Sequence, residues 1–198
     1  SLFTAIHAVG NHSASSFPEA LRSRVTIVPN CADRSWIQPT IDPSTFLARH
    51  GIPNDVQCFS VIGRCSSEKR WHIAAGGIGS KVGCHALIAG GVNHSPEHDR
   101  VLPWFVREML PNSTVVGWQR NIGDVLQCSA GIVSCSDQSE GCGLNLMEAA
   151  LSGVPIISTP TGICADEPDL ATITLPENPD THDVFKAVHG LTSLDRSM

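Results

Sequence analysis

The sequence predicts an α/β protein built on a parallel sheet with helices on both faces. Three observations carry that expectation. Short apolar runs recur along the chain, among them CFSVIG at Cys58 to Gly63 and CHALIA at Cys84 to Ala89, which read as buried strands. Segments of helical spacing stand between such runs, as crossovers between parallel strands require. The most particular stretch, Ser139 to Ser158 (SEGCGLNLMEAALSGVPIIS), passes from a glycine loop through a short helix, closes at Gly153 and enters an apolar strand.

In chain order, Leu2 to Val9 reads as a short strand and Ser15 to Ser23 as a helix with Pro18 near its first turn. Arg24 to Asn30 (RVTIVPN) is a strand ended by Pro-Asn. Residues 31–55 are polar and proline-rich, a long connection with one helical turn at Pro43 to His50. After the strand Cys58 to Gly63 comes a helix around Trp71 to Ile78, weakened by two glycines. The strand Cys84 to Ala89 is closed by Gly90 and Gly91. Pro96 to Leu110 has apolar residues at helical spacing, and Thr114 to Gly117 is a strand. Ile122 to Cys128 gives a turn or two of helix and Gly131 to Ser134 a strand. Beyond the glutamate-bearing helix, the strand Pro155 to Thr159, a loop through Asp169, a short strand Ala171 to Leu175 and a helix from Thr181 to about Leu191 complete the pattern. Ligands of such sheets bind at the carboxyl ends of the strands.

A chain of 198 residues has room for one ordinary domain with a real core, and 41% hydrophobic against 16% charged residues excludes a disordered chain. No apolar run approaches the roughly 18 residues of a membrane span, and the first residues do not read as a signal peptide. The formal charge of −6 divides into +3 over residues 1–120 and −9 over residues 121–198. Without a basic stripe, a nucleic-acid partner is not expected. Eight cysteines, at 31, 58, 65, 84, 128, 135, 142 and 164, form no C-x-x-C, and the sevenfold spacing of Cys128, Cys135 and Cys142 matches no metal-ligand pattern. They read as reduced and mostly buried, which points to the cytoplasm. His94 and His98, at i and i+4, lack a third ligand and an H-E-x-x-H context, so no metal site is expected there.

Within Ser139 to Ser158, the segment Gly143 to Leu151 carries Leu144, Leu146, Met147, Ala149, Ala150 and Leu151, apolar nearly all round, and predicts a buried helix. Glu148 lies in it, and a carboxylate buried without a partner is costly. The glycines before the helix let backbone N–H groups approach an anion at its positive end. A phosphate-bearing ligand with hydroxyls near Glu148 satisfies both features. The plainer alternative makes Glu140 and Glu148 solvated glutamates flanking an ordinary crossover helix.

Glu140 and Glu148 stand eight residues apart around Gly141 and Gly143, followed by EAALSGVPII. This stretch resembles the E-x7-E signature of retaining glycosyltransferases of the GT-B fold, especially the large family four; Cys142 departs from the aromatic usual there. PNCAD at Pro29 to Asp33 resembles the PNGVD that begins their C-terminal domain. VIGRCSSEK at Val61 to Lys69 resembles their phosphate-binding strand and loop, and ALIAGG and VVGW resemble the following strands. The likeness covers about residues 25–165 in order. It implies a Rossmann-like domain, the C-terminal half of a GT-B fold, over residues 25–198. Residues 1–24 would be a remnant of the preceding, acceptor-side domain, whose remainder is missing.

The implied activity is transfer of a sugar from a nucleotide sugar (UDP, GDP or ADP) to an acceptor that the missing domain would mostly bind. The donor diphosphate gains charge as the glycosidic bond breaks, and fixed cations stabilise that charge without reorganising. Arg64 and Lys69 follow a strand's carboxyl end, and the resemblance gives them this role. Backbone N–H groups of Gly141, Cys142, Gly143 and Leu144, with Gly63 nearby, would complete the anion site. By the same resemblance Glu148 accepts from the ribose hydroxyls, Glu140 lies near the sugar, and the turn from Gly117 to Arg120 touches the base by main chain. Glu140 is not expected to be a nucleophile, since such enzymes are thought to use front-side attack assisted by the donor phosphate. No DxD motif is present, so neither a metal nor another cofactor is implied. The chain alone is expected to be weakly active or inactive, and peripheral membrane association through the missing domain stays open. Two other readings stand beside this one: a non-catalytic nucleotide-binding module, and another GT-B protein such as a nucleotide-sugar 2-epimerase, against which EAALSGVPII argues.

Overall fold

The structure is a computed structural model and describes residues 5–91 and 106–194. Its first strands, β1 (Ile6–Ala8) and β2 (Val25–Ile27), pair in parallel as a separate two-stranded sheet. The main sheet holds β3 (Gln57–Ile62), β4 (Cys84–Ala89), β5 (Ser113–Gly117), β6 (Ser129–Ser134), β7 (Ile156–Ser158) and β8 (Ile173–Thr174). All its pairings are parallel, and the spatial order is β5-β4-β3-β6-β7-β8. Chain order thus runs outward from β3 to one edge and from β6 to the other. Between those two strands the crossovers part to opposite faces and leave a crevice at the carboxyl edge.

Helices cover both faces, as expected. On one face Phe59 and Val61 of β3 pack with Ala74, Ala75 and Ile78 of α4 (Trp71–Gly79) and with Val184 and Val188 of α8 (Thr181–Leu194). On the other, Leu87 and Ala89 meet Phe46 and Leu47 of α3 (Pro43–Arg49) and Val125 of α5 (Gly123–Leu126). There Ile132 and Ile156 belong to one cluster with Leu146 and Ala149 of α6 (Leu144–Leu151) and Cys164 of α7 (Ile163–Asp166). The alternation of faces along β3 and β4 comes from the period of two, and burial on both sides explains why these strands read as continuous apolar runs.

Several local expectations need correction. The helix expected over Ser15 to Ser23 is two short ones, α1 (Asn11–Ser15) and α2 (Glu19–Arg22). Pro18 is the N-cap of the second, and a proline disfavours helical backbone at Phe17. α6 is not buried all round: Leu146 and Ala149 are buried, while Leu144 and Leu151 are 45% and 37% exposed. A helix lying flat on a sheet covers one stripe only, whatever the composition of its other side. The glycines of α4, whatever they cost in helix propensity, let it approach α8, because a Cβ on Gly77 would stand 2.5 Å from that of Val184. The helix expected over Pro96 to Leu110 lies mostly outside the described residues, although residues 106–109 are helical; His94 and His98 also lie outside them.

Candidate functional site

The crevice is bounded by the loops that leave β3 and β6. The first loop begins at Gly63, with φ 140, and its carbonyl lies against Gly90, with φ 136. A Cβ on Gly90 would overlap the Gly63 oxygen, so glycine is needed there for the loops after β3 and β4 to touch. Gly90 N–H also donates to the Gly117 carbonyl at 2.8 Å, which ties in the end of β5. Beside the turn after Gly117, a hollow of about 490 Å³ is lined by Trp36, Gln119, Arg120 and Asp124. Asp124 holds the long connection over this hollow, accepting from the Thr40 backbone N–H and hydroxyl at 2.5 and 2.7 Å.

Arg64 and Lys69 both emerge from the loop after β3. Arg64 pairs with Glu68 at 3.4 Å and is 62% exposed. Lys69 reaches across the crevice and pairs through Nζ with Oε2 of Glu140, a residue on the loop after β6. The Ser136 hydroxyl donates to the same oxygen at 3.2 Å, and Cys142 N–H donates to Oε1 at 3.4 Å. Burial pushes the Glu140 pKa up, but the hydrogen bond and charge of Lys69, with Cys142 and Ser136, hold it below the ordinary carboxylate value. Both cations expected to face phosphate are therefore engaged with carboxylates. One of the backbone donors expected for the anion, that of Cys142, is likewise turned to Glu140.

Glu148 has a different environment. It lies half-buried in α6 with no side-chain partner among the described residues, and burial raises its pKa. Gly143, with φ 81, is the N-cap of α6, so the helix proper starts at Leu144. Asn145 in the first turn donates from Nδ2 to the Ile62 carbonyl at 2.9 Å, which sets the start of α6 against the end of β3. Gly141 faces the N-terminal segment, since a Cβ placed on it would stand 4.0 Å from side-chain atoms of Ser13 and Val9. That segment is held by Asp166, which accepts from His12 N–H at 2.7 Å, and by the His12 ring, whose Nε2 meets the Gln138 carbonyl at 3.1 Å. A carbonyl can only accept, so that nitrogen carries the proton.

Gly63, Arg64, Lys69, Glu140, Cys142 and the start of α6 are thus brought to one crevice, and Gly117 is linked to it through Gly90. Sequence reasoning missed Ser136, Asn145 and Gly162. A Cβ on Gly162 would stand 2.6 Å from the Cys142 carbonyl, which also accepts from Ile163 N–H at 2.7 Å. An asparagine in the first turn of a glycine-opened helix was a usable signal. Nothing local marks Ser136.

The strand order and its crevice define the class: a doubly wound α/β domain with its candidate site at the switch point. The chain belongs to the family described as glycosyl transferases group 1, which it matches over residues 59–193. No curated protein matches it in sequence. Among solved structures it is similar to Anabaena HepE in complex with UDP and glucose, at 14% identity and a TM-score of 0.78, over 98% of this chain and 55% of that one. It is similar to a glycosyltransferase from Rickettsia africae at 13% identity and 0.76, over 96% and 53%. It is also similar to a sucrose-phosphate synthase from Thermosynechococcus elongatus at 16% and 0.74, over 96% and 49%. At these identities the likeness is one of fold, and the fold is that of the C-terminal half of a GT-B glycosyltransferase. The chain spans about half the length of each of these structures. No helix among the described residues is long and apolar enough to cross a membrane.

Proposed function

We propose that this chain is the donor-binding half of a retaining glycosyltransferase of family four, taking a nucleotide sugar. The observation that carries the reading is the meeting of Lys69 and Glu140 across the switch-point crevice, beside a glycine-opened helix that holds the unpartnered Glu148. HepE, of the same fold, was solved with UDP and glucose, which supports a uridine nucleotide among the candidates.

In this reading the donor diphosphate lies between the loop after β3 and the first turn of α6. Arg64 and Lys69 meet the charge that grows on the leaving phosphate, and the dipole and free N–H groups at Gly143 and Leu144 add to it. Lys69 is shared between phosphate and Glu140, so the carboxylate fixes the ammonium at the place where charge develops. Glu140, kept ionised by Lys69, faces the sugar and favours a cationic transition state at the anomeric carbon. Glu148 accepts from ribose hydroxyls, which supply the hydrogen bonds its half-buried carboxylate lacks. The base meets the main chain at Gly117 to Arg120. The acceptor is bound by a further domain, and without it the crevice cannot exclude water or align the two substrates. The isolated chain therefore binds nucleotide but transfers little sugar.

Calorimetric titration with UDP, GDP, ADP and inorganic pyrophosphate tests this reading. Binding of a nucleoside diphosphate, weakened in Glu148→Gln while pyrophosphate affinity is kept, is the expected result. A folded chain with affinity for none of the four ligands refutes it, and enzyme-like turnover of a nucleotide sugar by the chain alone refutes the need for a second domain.

A further inference from the structure

Arg70 directly follows Lys69, yet it has no part in the function proposed above. It is one of two non-glycine residues among those described with left-handed backbone, at φ 44. It is the N-cap of α4, and its side chain is spread over four oxygens. Nε donates to the Cys135 carbonyl at 2.7 Å, and Nη2 donates to the carbonyls of Ser136 at 3.0 Å and Glu177 at 2.8 Å. Nη1 donates to Oδ1 of Asn178 at 3.0 Å. Cys135 and Ser136 are the first residues after β6, and Glu177 and Asn178 lie ahead of α8.

The geometry joins three segments at one side chain. The left-handed turn lets adjacent residues reach different parts of the same facing loop, Lys69 to Glu140 and Arg70 to residues 135 and 136. A backbone bond from Asp137 N–H to the Glu68 carbonyl at 2.9 Å lies between these two side-chain links. A planar fork with five donors can bond successive carbonyls, whereas a lysine ammonium in its place could not hold the same set. We infer that Arg70 is a positioning residue, which fixes the loop after β6 against the loop after β3 and so sets the Lys69–Glu140 pair. Its consequence for diphosphate binding rests on the function proposed above; its control of the pair does not.

The groups that face the Glu140 carboxylate are the Lys69 ammonium from the loop after β3 and, from its own loop, the Ser136 hydroxyl and Cys142 N–H. Asp137 is the nearby acid, influenced by both Arg70 and Lys69. A carbon-13 NMR titration of the Glu140 carboxyl, assigned with Glu140→Gln, therefore reads the pair without any ligand. Arg70→Gly relieves the backbone while removing the fork, and Arg70→Lys keeps the charge. In folded variants the Glu140 midpoint is expected to rise from below the ordinary carboxylate range towards or above it, with Lys failing to rescue. Pyrophosphate affinity, where the unaltered chain has it, falls about tenfold in both variants. An unchanged midpoint in the folded variants overturns the inference. If Arg70→Gly does not fold, Arg70→Lys decides alone; loss of fold in both also overturns it, since Arg70 would then serve stability in general. An unaltered chain that binds neither pyrophosphate nor nucleotide removes the proposed function, while the titration still decides the role of Arg70.

Discussion

Replacing Lys69 with alanine should destabilise the chain in a pH-dependent way. The pair lies between the surface and buried limits, with side chains 22% and 13% exposed for Lys69 and Glu140. Exposed pairs contribute about 0–1 kcal/mol, and breaking a fully buried one costs about 3–5 kcal/mol. A loss of about 2 kcal/mol near neutral pH follows, equivalent to about 4–8 °C in Tm for a chain of this size. The sign with pH is set by Glu140. In the unaltered chain Lys69 holds its pKa below the ordinary value, so its contribution is present at neutral pH and is lost only as pH falls through that depressed pKa. In Lys69→Ala the burial of Glu140 is no longer opposed by an ammonium, and protonation relieves it. The Tm gap should therefore be widest at pH 7–8 and close below roughly pH 4. Scanning calorimetry of both proteins from about pH 3 to 8 measures this, and Lys69→Ala/Glu140→Gln should recover about half the loss. Equal Tm values at pH 7.5, or a gap that widens in acid, would refute the pairing.

Other consequences are open to equally direct measurement. Glu148→Gln should raise Tm at neutral pH by about 2–4 °C, since it removes a half-buried charge without a partner, worth about 1 kcal/mol. Because burial raises the Glu148 pKa, that gain should vanish as pH falls below it, when the native side chain is neutral as well. Arg64→Ala should leave stability unchanged, the side chain being 62% exposed, but weaken UDP, GDP and ADP by similar factors, about 1.5–3 kcal/mol each. Gly90→Ala should cost more than about 3 kcal/mol in denaturant unfolding, because strain at φ 136 is joined by overlap with the Gly63 carbonyl. Gly83→Ala, at φ 79 with open space around it, should cost about 1 kcal/mol and serves as the control.

The strands and the loops at their carboxyl ends were legible because their signals are local. CFSVIG and CHALIA are apolar but for Ser60 and His85, since both faces of a central parallel strand are covered. Glycines at 63, 90, 117 and 143 mark positive-φ turns that few other residues adopt, so the edge of the crevice could be placed from them. Composition could not say how much of α6 is covered: its leucines at both ends face outward because the helix rests on the sheet by a single stripe. Nor could proximity in sequence pair Lys69 with Glu140, which stand 71 residues apart on loops from β3 and β6. Their meeting depends on β6 returning beside β3 and not beside β5, an outcome of the whole crossover arrangement. The same holds for Arg70, whose four partners come from two distant segments. The sequence by itself determined which elements form and which glycines turn the loops at the carboxyl edge of the sheet, since periodicity and backbone preference are local. Only the tertiary structure decided which charge faces which, because that depends on the order in which strands lie side by side.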